Sequence, residues 1–270
     1  MQVTFVASAY TSGNAPGGGW NIVVNKPTGT VDGDLMIAHF SSASSNATIA
    51  TLAGWTLLDS DATGGNGWSG IFYKIASSEG ASYSWGVGDS GGTARTAVGI
   101  STWRDASAID VHSKNVDTTS DTTANGSAVT PTMSPDCVLI AFTGSISTGA
   151  TLSAHAVANN NPTWTEIYDS SITCAYGIYT AITTTGAYTA TISTAVTSTT
   201  FLVSIKPAGF SIDGAFTLTG TPSDAVSSAM TPVTAVFSLV GTISAVVAQG
   251  VGKWSNVVKS VTTWVNQSKN

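Results

Sequence analysis

Charge is what this chain has least of. Lys, Arg, Asp and Glu make up 9% of its 270 residues, against about 25% in an ordinary globular domain. Its polar surface must therefore come from Ser, Thr, Asn and Gly. Glutamate occurs only as Glu79 and Glu166, and with helix formers so scarce there is little to build an amphipathic helix. No apolar run reaches the roughly 18 residues of a membrane span. The nearest approach, Ala235 to Ala248, is broken by Ser, Gly and Thr. The opening Met1-Gln-Val-Thr-Phe-Val-Ala-Ser8 has neither the basic start nor the long apolar stretch of a signal peptide. It reads as a strand that begins at once. Cys137 and Cys174 lack metal-ligand spacing and, without an export signal, read as reduced core residues.

Clustered bases are missing as well, which excludes a nucleic-acid interface. The net charge of −6 is unevenly shared. No acid follows Asp224, so the last 46 residues carry +3 from Lys253, Lys259 and Lys269. The first 224 residues, with six bases and fifteen acids, carry −9.

Catalytic patterns are equally sparse. His39, His112 and His155 lie far apart, with none of the spacing that binds a metal. Each reads as a satisfied core or surface histidine. There is no Gly-x-Ser-x-Gly elbow, and Gly17-Gly-Gly19 lacks the Lys of a phosphate loop. A glycosidase needs two carboxyls across a cleft. The pairs Asp59/Asp61 and Asp32/Asp34 lie in turn-like sequence, where Asp serves local hydrogen bonds. The expectation is a non-enzyme with no catalytic residue, metal or cofactor.

What the chain does have is β character. Thr, Val, Ile, Ser and Gly dominate, turn residues recur every ten or so positions, and eight Trp, eight Phe and seven Tyr argue against disorder. Clear strands are Asp34 to Phe40, Ser69 to Ile75 and Thr96 to Trp103. The fold class expected is all-β.

The chain also repeats itself. Asp34-Leu-Met-Ile-Ala-His-Phe40 matches Asp136-Cys-Val-Leu-Ile-Ala-Phe142, which pairs His39 with Ala141. Gly54-Trp-Thr-Leu-Leu-Asp59 corresponds to Thr163-Trp-Thr-Glu-Ile-Tyr168. Gly70-Ile-Phe-Tyr-Lys-Ile75 answers to Ala175-Tyr-Gly-Ile-Tyr-Thr180, with Tyr83 against Tyr188. Ala97 to Arg104 pairs with Thr200 to Lys206, and Val23 to Pro27 faces Ala128 to Pro131. Five blocks in one order, at offsets between 102 and 109, point to an internal duplication. Drift in the offset is what loop length changes produce. The organisation expected is two tandem antiparallel β-sandwiches (jelly-roll or Ig-like), over residues 1–106 and 107–207. Their boundary falls in the polar stretch Asp105 to Asn125. Trp55 and Trp164 hold the same place in each copy and read as core anchors.

Residues 208–270 match neither copy. They hold the β-prone runs Ala215 to Thr219, Ala235 to Val240 and Thr242 to Val247. Lys253-Trp-Ser-Asn-Val-Val-Lys259 then recurs ten residues on as Thr263-Trp-Val-Asn-Gln-Ser-Lys269. About 60 such residues are marginal as an independent core. A C-terminal β segment for anchoring or oligomerisation is expected, with Lys253, Trp254, Lys259, Trp264 and Lys269 as its contacts. For ligand binding, Trp20, Trp68 and Trp85 lie in or beside Gly-rich loops, where exposed rings would stack on sugar.

Gly33-Asp-Leu-Met-Ile-Ala38, Gly54-Trp-Thr-Leu-Leu58, Tyr73-Lys-Ile-Ala76 and Ala81-Ser-Tyr-Ser-Trp85 together resemble a module common in tailed-bacteriophage virion proteins, of the minor-tail and tail-fibre kind. The resemblance covers residues 3–207, and Trp264 to Asn270 is similar to the ends of some phage structural proteins. It implies a structural virion protein made in the host cytoplasm and displayed on the particle, tail-fibre or adhesin-like. A head decoration protein and a carbohydrate-binding module are the alternatives. Implied partners are other virion proteins, further copies of the chain and a host-surface glycan, with no nucleic acid and no membrane span.

Overall fold

Among the described residues every regular element is a strand, as the abundance of small polar and β-branched residues favours. The computed structural model describes residues 2–14, 19–44, 47–61, 67–88, 95–132, 137–145, 150–181 and 183–208. The expected C-terminal strands, with Lys253, Trp254, Lys259, Trp264 and Lys269, lie outside the described residues. The first half contributes β1 (Thr4–Asn14), β2 (Trp20–Asn25), β3 (Leu35–Ser42), β4 (Thr48–Ile49), β5 (Thr56–Asp61), β6 (Trp68–Ile75), β7 (Ser82–Gly88) and β8 (Arg95–Arg104). The second contributes β9 (Ala106–Gly126), β10 (Cys137–Ser145), β11 (Leu152–Val157), β12 (Thr165–Asp169), β13 (Ile172–Tyr179) and β14 (Tyr188–Pro207). All pairings are antiparallel. The protein is all-β, and among the described residues no helix is long and apolar enough to cross a membrane.

The two halves have the same strand order. One sheet runs β1-β8-β3-β6-β5, and β2-β7-β4 forms a smaller sheet. In the second half the sequence is β9-β14-β10-β13-β12, with β11 on the opposite flank of β14. Long β9 and β14 each do the work of two strands of the first half. Their ladder is irregular between Thr191 and Ser198, separating a segment level with β2 and β7 from one level with β1 and β8. Even a bulge recurs. It lies between Leu57 and Asp59 in β5 and between Glu166 and Tyr168 in β12.

These ladders move two of the sequence matches by one residue and the Gly70 block by two, so that Tyr73 is level with Tyr176 rather than Ile178. Leu35 lies opposite Ile75 and Trp103, and Val138 opposite Ile178 and Ile205. Leu35 is therefore level with Val138 rather than Cys137, Ile37 with Ile140, and His39 with Phe142 rather than Ala141. Trp103 is likewise level with Ile205. In a strand a one-residue slip exchanges the two faces, so the correction decides what each side chain packs against.

Three cores follow. Met36, Ala38, Phe40, Phe72 and Ile100 pack under the small sheet, against Ile22, Val24, Trp85 and Val87. Leu139, Ala141 and Leu202 pack against Leu152, Val157, Tyr188 and Ile192. The third core joins the halves: Leu35, Ile37, Ile71 and Trp103 meet Val138, Ile140, Phe142, Phe201 and Val203. Both halves, to residue 208, lie in one compact unit. Because β3 and β10 are covered on both faces, all their residues are buried, as in sheets sandwiched between layers.

The stretch expected to be a polar boundary is instead strand β9 from Ala106 onward. Only Asp105, with φ of 58°, makes the turn. Polarity misled here because β9 is an edge strand, where solvated Thr, Ser and Asp side chains are tolerated.

At the seam, Asp59 of β5 accepts from Lys114 Nζ of β9 at 2.9 Å, with His112 Nε2 at 3.6 Å. Asp59 and Asp61 thus lie in a strand and not in a turn. At the opposite flank Tyr10 and Tyr168 pack with ring centroids 6.0 Å apart. Gly99 gives Tyr168 its seat, since a Cβ there would lie inside the phenol ring's envelope. Gly99→Ala is expected to destabilise the protein by about 1–3 kcal/mol, the usual range for overpacking. A denaturant midpoint unchanged from wild type would show that the seam yields freely.

Candidate functional site

The tryptophans expected to stack on sugar are mostly core. Trp85 is 0% exposed and Trp68 8%, so neither offers a ring to a ligand. Their Gly-rich neighbours serve packing: the Trp68 ring lies over Gly70, and Trp20 over Gly13. Trp20 is half-buried against the first core and lines an open depression of about 580 Å³ with Asn21, Thr48 and Gly86.

The densest polar chemistry lies instead where each half keeps its paired Trp and Tyr. In the first half Trp55 meets Tyr83 edge to face at 5.4 Å. Tyr83 donates its hydroxyl to Glu79 at 2.7 Å, and Lys74 pairs with Glu79 at 2.5 Å while lying 5.8 Å above the Trp55 ring. Burial works against the Glu79 charge, but hydrogen bonds from Lys74, the Ser77 amide and Tyr83 outweigh it and hold the carboxyl below its ordinary range. Burial raises the Tyr83 phenol, and Glu79 adds to the shift. Trp55 and Glu79 are covered, so this cluster is closed.

In the second half Trp164 meets Tyr188 at 5.5 Å, and His155 packs on Trp164 at 6.0 Å. His155 Nδ1 lies 2.5 Å from the Tyr188 hydroxyl, and Nε2 lies 3.0 Å from Glu166 Oε1. A carboxylate only accepts, so Nε2–H donates to Glu166, and in the neutral imidazole the Tyr188 hydroxyl then donates to Nδ1. Burial pushes the Tyr188 phenol up, with the charges of Cys174 and Glu166 adding to it. The imidazole side chain is 3% exposed, whereas Glu166 is 42% exposed. Trp164 donates its Nε1–H to Asn161 Oδ1 at 2.9 Å. Trp164 itself is only half-buried, unlike Trp55.

Backbone strain gathers at these clusters. Four non-glycine described residues have positive φ: Ser78, Asp105, Ala154 and Asn160. Ser78 adjoins Glu79. Ala154 (φ 53°) lies in the β11 bulge that turns His155 inward, and Asn160 (φ 48°) precedes Asn161. Such conformations cost roughly 1–3 kcal/mol and persist where surroundings over-determine them, commonly at functional sites. Asn160 Nδ2 bonds Thr183 Oγ1, and Asn159 Nδ2 bonds the Thr184 carbonyl.

The remaining candidates have structural partners. Asp34 accepts from the Val31 amide and from Nε and NH2 of Arg104. Asp32 accepts from the Ser78 amide. Cys137 and Cys174 are buried and form no disulfide. Among the described residues no three of His, Cys, Asp and Glu converge as metal ligands. His39 is not a satisfied histidine, because its buried Nδ1 has no partner among the described residues.

Comparison with known protein families, curated proteins and solved structures found no match. What the fold and site define is an all-β protein of two interlocked halves, with one closed and one open Trp–Tyr–carboxylate cluster. Sequence reasoning had Trp164 as a core anchor and missed its neighbours. The signal present was Glu166, one of only two glutamates, in the place of Leu57.

Proposed function

We propose that the chain is a structural virion protein of a tailed phage, tail-fibre or adhesin-like and displayed on the particle surface. The observation that carries this reading is the division of the chain. A hydrogen-bonded β body extends to residue 208, and the 62 residues of sequence that follow it close in acid-free Trp/Lys repeats. The body supplies rigid bulk, since its two halves share a core and cannot swing independently. The closing unit supplies bases and aromatics for mounting on an acidic neighbour or on further copies. The likeness of residues 3–207 to tailed-phage modules supports the same reading.

Deleting residues 210–270 is expected to leave a folded remainder that no longer enters particles. Protein content of purified particles, compared by mass spectrometry for full and truncated chains, checks this. Normal incorporation of the truncated chain would defeat the reading.

A further inference from the structure

We propose that the open cluster at Trp164 is a saccharide-binding site, taking a neutral pyranose against the indole with its hydroxyls on the Asn161 amide and the Glu166 carboxylate. The inference deepens the adhesin reading and rests on it.

The two halves show how the site came to be open. The ladders set Thr56 opposite Tyr73 and Thr165 opposite Tyr176, so Lys74 is level with Gly177. In the first half Lys74 lies over the Trp55 ring. At Gly177 no side chain exists to do the same for Trp164, and Pro162 lies against the glycine. The aromatic surface is retained and its lid is gone.

The groups around the ring suit hydroxyls, which both donate and accept. Asn161 spends its Oδ1 on the Val157 amide and Trp164 Nε1. Its Nδ2 has no partner among the described residues and remains a donor. Glu166 spends Oε1 on His155, leaving Oε2 as an acceptor. The buried imidazole, anchored on Tyr188, fixes that carboxylate, and the strained Ala154 fixes the imidazole. Positions held this way lose little freedom on binding. A cationic ligand fits less well. In the first half the base beside the Trp–carboxylate pair is Lys74, and in the second that place is already filled from inside by His155.

The test uses the full chain on an array of bacterial surface glycans, followed by NMR titration with methyl β-D-glucopyranoside, methyl β-D-galactopyranoside and N-acetylglucosamine. At least one glycan should be retained, with the Trp164 indole resonance moving. Trp164→Leu should weaken binding about tenfold or more, the scale of a lost aromatic contact. Glu166→Gln should weaken it in a chain that melts like wild type, and Trp20→Leu should leave it intact. Retention of no glycan, or equal binding by Trp164→Leu, would overturn the proposal. Should Trp164→Leu not fold, unchanged binding by Glu166→Gln overturns it instead. Capture of spermine in preference to every sugar would also overturn it. Particle content separates the two readings. Glycan silence with normal incorporation removes this site alone, whereas a glycan-binding chain absent from particles removes the virion role.

Discussion

Replacing Trp85 with alanine is expected to cost about 3–5 kcal/mol, the range for emptying a buried Trp or Phe site. Stabilities of natural domains run to roughly 5–15 kcal/mol, so the variant should be largely unfolded or close to it. The reason is geometric. Trp85 is fully buried, with ring centroids 5.0 Å from both Phe40 and Trp55 and 5.6 Å from Tyr83. Removing the indole strips the centre of the first core and loosens the small sheet. Trp20→Ala, at a half-buried position, should cost less than about half as much, because burial energy scales with the area removed from water. Urea unfolding of the two variants beside wild type checks both. A Trp85→Ala midpoint close to wild type would mean the ring is not the hub of that core.

Acid should weaken the protein through His39. Its ring is 0% exposed, lies 5.5 Å from Phe142 and 6.2 Å from Phe201, and has Ser69 Oγ at 3.4 Å from Nε2, while its buried Nδ1 has no partner among the described residues. Burial depresses its pKa from 6.5 to about 3. The folded state therefore binds its proton less readily than the unfolded chain. Stability is complete above pH 6.5 and falls as the pH drops toward 3, where the unfolded chain is protonated and the folded one resists. At about 1.4 kcal/mol per pH unit, the loss by pH 3 is on the order of 5 kcal/mol, an upper figure since partial opening relieves it. His39→Leu, neutral at every pH, should remove most of that slope between pH 6 and 3 while changing stability little at pH 8. Unfolding free energies across pH for both chains supply the check. Parallel curves would place the acid-sensitive group elsewhere. Because His39 lies in the core joining the halves, its protonation would part the two large sheets first.

Much of the architecture was legible in residue order. Strands β3, β6 and β8 stand where their apolar runs placed them, and the repeated blocks correspond to equivalent strands in the two halves. Register was not legible, for a definite reason. Alternation reveals a strand's facing only when one face is wet. With β3 and β10 covered on both sides, Leu35-Met-Ile-Ala and Val138-Leu-Ile-Ala look alike at either register. The site was hidden for a related reason. His155, Glu166 and Tyr188 come from β11, β12 and β14, with Trp164 just ahead of β12, and only pairing and a bulge at Ala154 bring them together.

Residue order by itself determined that this chain would be all-β and poorly charged, because β propensity, turn residues and composition are local properties. Tertiary structure alone decided that the two halves share a core, that Trp68 and Trp85 are packed away and that Trp164 is not. Those outcomes depend on which face of each sheet meets another, and that is settled by the packing of whole layers.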